Sequence, residues 1–113
     1  MARNNIKRIE SDMQLALSNI IREMKDPRIS TMLSVVRVNV SGDLSYATVY
    51  ISSMNGFDDA KNAVKALEKA SGFVRREVSQ RIDIRKSPEF RFIADDSIEY
   101  GAKLTKKLND LNK

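Results

Sequence analysis

Cysteine and histidine are both missing from these 113 residues. Their absence removes disulfides, thiolate nucleophiles, the common zinc sites and imidazole general bases together, so most familiar catalytic constellations have no members here. Proline occurs twice and glycine four times, too seldom for a disordered or fibrous chain. No apolar run is long enough to span a membrane. Met1-Ala2-Arg3-Asn4-Asn5 leads into a charged amphipathic segment, not into the apolar stretch of a secretory signal. A soluble, cytoplasmic protein is the expectation.

What is present is a globular balance, with 42% hydrophobic and 31% charged residues. A chain of this length makes one domain that buries about 65% of its unfolded surface. Lysine and arginine number 20 against 15 acidic residues, a net charge of +5 with a pI near 9.6. Such an excess favours an anionic partner, nucleic acid or an acidic membrane surface.

Ile6, Ile9, Met13, Ala16, Leu17, Ile20 and Met24 fall on one face of a helix from about Asn5 to Lys25, ended by Asp26-Pro27. Two strands follow, Leu33 to Ser41 and Ser45 to Ser53. Val36, Val38 and Val40 point one way along the first, and Ala47, Val49 and Ile51 along the second. Ser41-Gly42-Asp43-Leu44 supplies turn chemistry for an antiparallel hairpin. After Asn55-Gly56, with Asp58 and Asp59 opening the next helix, Ala60, Ala63, Val64, Leu67, Ala70, Val74, Val78 and Ile82 recur at helical spacing straight through Ala70-Ser71-Gly72. The stripe does not reset there, which predicts a kinked helix running to about Asp83. Lys61, Lys65, Lys69 and Arg76 line its opposite face as a basic ridge. A solvated charged face is the commonest reason for such a row, and an RNA contact the alternative. A last strand after Ser87-Pro88 places Phe90, Phe92 and Ala94 inward. Asp95-Asp96-Ser97 then caps a tail helix bearing Leu104, Leu108 and Leu111.

This order predicts an α+β fold with the topology of a type II KH domain, helices on one face of a three-stranded sheet. Residues 1–95 form that domain and 96–113 a short amphipathic tail helix with freedom to move. The usual KH grip on RNA, a Gly-X-X-Gly loop, is lacking, because Gly42, Gly56, Gly72 and Gly101 are nowhere three apart. Ala70-Ser71-Gly72-Phe73 with Arg75 stands in its place. Further along the same pattern are Lys25-Asp26-Pro27-Arg28, Ser41 with Asp43-Leu44, Ala47-Thr48-Val49-Tyr50, Arg85, Pro88 and Asp96-Ser97. Taken in order, these residues make the sequence resemble the bacterial ribosome-binding factor A family over nearly its whole length.

That resemblance implies a monomeric cytoplasmic assembly factor. It would bind the free small (30S) ribosomal subunit and its 16S rRNA, alongside other assembly factors, and assist late rRNA maturation and processing during cold adaptation. It implies no catalysis, cofactor, metal or membrane, and it makes the kink the substitute for the Gly-X-X-Gly loop. The RNA-facing candidates are then Lys61, Lys65, Lys69, Ser71, Gly72, Arg75, Arg76, Arg81, Arg85 and Lys86, with Arg28 secondary. The alternatives are a general KH-like RNA-binding translation regulator and a protein adaptor docking through Tyr46 and Tyr50, which with Thr48 face away from the core. Asp95, Asp96 and Glu99 would suit magnesium-dependent hydrolysis, but helix capping accounts for the same residues.

Overall fold

The computed structural model describes residues 3–27, 29 and 32–96. Arg28, Glu99 and the expected tail helix with Leu104, Leu108 and Leu111 lie outside them.

Helix α1 spans Arg3–Glu23, starting and ending two residues before the expected limits. The Met24 N–H still donates to the carbonyls of Ile20 and Ile21, at 3.1 and 3.3 Å, so the last turn tightens before Asp26-Pro27 diverts the chain. Met13 and Leu17 are wholly buried, and Ile20 and Ile21 nearly so. Strands β1 (Leu33–Val40) and β2 (Tyr46–Ser53) pair antiparallel. Helices α2 (Phe57–Lys69) and α3 (Ser71–Arg81) then carry the chain across, so that β3 (Glu89–Ala94) joins the other edge of β2 in parallel, giving the order β1-β2-β3. All three helices pack on one face of this mixed sheet, over Val35, Val38, Val40, Ala47, Val49, Ile51, Phe90 and Phe92. The α+β, KH-like arrangement is the one expected. Helix α1 also satisfies two backbone groups of the edge strand: Gln14 Nε2 donates to the Val35 carbonyl at 2.9 Å and the Val40 N–H to Glu10 Oε2 at 2.8 Å.

One strand expectation is corrected. Val35 pairs with Ile51 and Arg37 with Tyr50, which leaves Val36 as an extra residue. The bulge breaks the alternation, so Val35 turns inward at 7% exposure while Val36 stands out at 39%.

In the hairpin the left-handed position falls on Leu44 (φ 62°), not on Gly42. A leucine there is strained. It is held by its N–H donating to the Ser41 carbonyl (3.0 Å) and by burial of its side chain to 5% exposure. Asp43 Oδ1 accepts from the Ser45 N–H at 3.1 Å and from Ser41 Oγ at 2.9 Å, and Ser41 Oγ accepts from the Tyr46 N–H at 3.0 Å. The Ser45 N–H, then the hydroxyls of Ser45 and Ser41, hold the Asp43 carboxyl below its ordinary value near 3.8. Because the folded value is the lower one, this turn adds stability above that ordinary value and loses it as pH falls through the folded one. Acid unfolding followed by circular dichroism should therefore show a shallower low-pH decline in Asp43→Asn, starting from a less stable protein.

Gly56 opens α2 with φ 110° and ψ 171°, a conformation essentially confined to glycine. The Ser53 hydroxyl behind it donates to the Asp59 carboxylate and accepts the Asn55 N–H. Asp58 and Asp59 occupy the first turn as expected. Between α2 and α3 a single residue, Ala70 (φ −96°, ψ 15°), breaks the helix. Its N–H reaches the Ala66 and Leu67 carbonyls and its own carbonyl accepts from Val74, so the axis bends without a loop. The stripe is continuous across the bend, with Ala60, Ala63, Leu67, Val74 and Val78 all fully buried. The bend therefore owes nothing to an unusual glycine: Gly72 lies within α3, outside the left-handed region, and a Cβ added there would meet nothing within 4 Å. Gly72→Ala should accordingly stabilise the protein by up to about 1 kcal/mol, read as a higher urea midpoint at unchanged m-value.

Candidate nucleic-acid interface

Lys61, Lys65 and Lys69 stand one turn apart along the exposed side of α2, and Arg76 continues the row on α3 beyond the bend. Lys61 is partly engaged, 3.3 Å from Asp58 and with its ammonium 5.0 Å from the centre of the Phe57 ring. Among the described residues no ion pair holds Lys65, Lys69 or Arg76. Lys65 and Lys69 line a groove of about 570 Å³ with Asn62, Asp59, Glu68 and Pro27, so α2 forms one wall and the turn after α1 the other. Ser71 and Gly72 lie at the start of α3, Ser71 half-buried and Gly72 bare.

The remaining candidates are drawn into the fold. Arg75 donates through Nη2 to the Ser87 carbonyl at 2.8 Å and through Nε to Ser87 Oγ at 3.2 Å, tying α3 to the approach of β3. Arg81 lies 2.7 Å from Glu23 and 3.0 Å from Glu77. Donating to these carboxylates, Glu23 first, raises its pKa further, and the contact with Glu23 fastens α3 to α1. Lys86 Nζ donates to Ser45 Oγ at 3.2 Å, and Arg85 borders the same hairpin turn. The candidates thus separate into an open row on α2–α3, Arg75 and Arg81 fastening α3 to its neighbours, and Arg85 with Lys86 beside the hairpin. Arg28 lies outside the described residues.

Two features of the surface escaped sequence reasoning. On the sheet face away from the helices, Arg37 sits 4.4 Å above the Tyr50 ring and Arg91 4.2 Å above Tyr46, arrangements set by cross-strand register. Phe73, 44% exposed, stands between Lys69 and Arg76 on the open row, where its spacing of four and three residues already placed it. Among the described residues no group of three or more acidic side chains is arranged to hold a metal ion, and no helix is long and apolar enough to cross a membrane.

Residues 5–108 match the model of a family described as ribosome-binding factor A. The chain belongs to that family. A ribosome-binding factor A from Acetivibrio thermocellus is 43% identical over 106 residues, covering 93% of this chain and 86% of the relative. The crystal structure of ribosome-binding factor A from Thermus thermophilus superposes with a TM-score of 0.70 at 26% identity, over 79% of this chain and 94% of the other. A homology model of the Thermus thermophilus ribosome-binding factor A, fitted into the cryo-EM map of a 30S complex, gives 0.64 at 27% identity, over 76% and 90%.

Proposed function

We propose that this chain binds the free small ribosomal subunit and assists late maturation and processing of its 16S rRNA. The observation that carries the reading is the open basic row of Lys65, Lys69 and Arg76 on the bent α2–α3 element, in a family named for ribosome binding and with a relative fitted into a 30S complex. A row of cations on a rigid helix neutralises phosphates without reading bases, which suits a partner recognised by shape. The protein acts by binding, as a cytoplasmic monomer without cofactor, metal or reaction of its own, next to other assembly factors and with its greatest importance in the cold.

Cell extract fractionated on a sucrose gradient tests this directly. The protein should travel with free small subunits and be depleted from assembled ribosomes, and cells lacking it should accumulate 16S precursor, most of all at low temperature. An even spread over free RNA and all ribosomal fractions would instead identify a general KH-like translation regulator. An adaptor working through Tyr46 and Tyr50 is disfavoured by the guanidinium already over each ring.

A further inference from the structure

Among the described residues, Phe73 is the one exposed aromatic ring with no cation or second ring seated against it. Phe90 and Phe92 are buried with centroids 6.3 Å apart, Tyr46 and Tyr50 lie under Arg91 and Arg37, and Phe57 lies beside Lys61. Its position matters as much as its exposure. Lys69 precedes it by four residues and Arg76 follows by three, both exposed and without a counter-ion among the described residues, so an apolar ring stands on the open row with a cation on each side. The neighbouring Gly72 adds no side chain, and nothing lies within 4 Å of where its Cβ would be. The ring is therefore approachable from the side of the bend. An exposed phenyl has no structural use for this setting: Val74 and Val78 supply the inward contacts of α3, and leaving the ring in water forfeits the gain from burying it.

We infer that Phe73 is a stacking platform for an unpaired base of RNA, with Lys69 and Arg76 on the phosphates either side of it. The inference rests on the proposed binding of the small subunit and names how the same surface selects among its RNA segments. A base face stacks on an aromatic ring whatever its identity, while duplex RNA keeps its bases inside and offers none. The row thus prefers a single-stranded or bulged segment of the 16S rRNA over its helices, and does so without a Gly-X-X-Gly loop.

The chain contains no tryptophan, so Phe73→Trp creates a lone indole whose emission falls when a base stacks on it. Titration of that variant with a short single-stranded oligoribonucleotide at low salt should quench the indole saturably, and the same oligomer annealed into a duplex should not. In co-sedimentation with free small subunits, Phe73→Leu and Phe73→Ala should both bind about fivefold to a hundredfold more weakly than the unaltered chain, while Phe73→Trp binds normally. The dependence of affinity on salt should be unchanged in these variants, because no phosphate contact is lost, whereas Lys69→Gln should flatten it. Wild-type affinity in Phe73→Leu overturns the stacking inference and leaves the proposed function standing. Loss in Phe73→Ala alone, with no quenching of the indole, overturns it too and marks Phe73 as an apolar contact to a protein of the subunit. Failure of the unaltered chain to co-sediment with small subunits rejects the proposed function itself.

Discussion

Reversing Lys65 and Lys69 together, as Lys65→Glu and Lys69→Glu, should weaken association with free small subunits more than tenfold, about 1.4 kcal/mol or more. Both ammonium groups are exposed and line the groove opposite Pro27. Each phosphate they neutralise releases condensed counter-ions, so the variant should also show a flatter decline of affinity with salt, which filter binding or co-sedimentation across a salt series measures. The fold should hold to within about 0.5 kcal/mol, since neither residue caps a helix or enters the core. The matching control reverses Lys106 and Lys107, which changes net charge equally. Equal losses in both variants would reduce the interaction to net charge, and unaltered binding in the first would return the row to a solvated face.

Leu67→Ala should produce the largest loss of stability, about 2–5 kcal/mol. Leu67 is fully buried and belongs to the apolar cluster that joins α2 to the sheet. Truncation removes its transfer energy and leaves a cavity that helices and strands close only in part. Against a total stability of about 5–15 kcal/mol, such a loss takes a large share. For a domain of this size it lowers the melting temperature by some 10 °C or more, which calorimetry or thermal circular dichroism will show. Because α2 carries Lys65 and Lys69 on its opposite side, binding should fall only to the extent that the protein unfolds. A variant that stays folded at low temperature and binds normally there would separate the core role of Leu67 from the surface role of its neighbours.

Features set by a local period could be read from the residues, and features set by distant partners could not. The stripe from Ala60 to Ile82 and the stripe of α1 were visible because burial on a helix repeats within a few residues. The bend was visible in the same stripe, yet its hinge is Ala70, since a glycine in a helical conformation leaves the same mark in a sequence as one that breaks it. Alternation alone turns Val36 inward, because a bulge exists only in relation to the partner strand and nothing between Leu33 and Val40 announces that Tyr50 will face Arg37. The open row followed from spacing alone. Arg75, Arg81 and Lys86 looked equally available, but their partners Ser87, Glu23 and Ser45 meet them only after folding. Phe73 sat at a readable position between two cations; what singles it out is the company kept by the other aromatic rings, which is a tertiary fact.

The parallel pairing of β3 also dictates an order of assembly. Helix α1 and the β1–β2 hairpin are contiguous in the chain, and a hairpin closes within microseconds. The far edge of β2, by contrast, waits for Glu89–Ala94, with residues 54–88 intervening, and closing a segment of that length costs about 3 kcal/mol of chain entropy before any contact repays it. During synthesis, β2 therefore stands with one edge bare until the last strand emerges, and the bent helix has no completed sheet to lie on. The bent helix that carries Lys65, Lys69, Phe73 and Arg76 rests on β3 as well as on β2 and α1, so its support is complete only when those six residues dock.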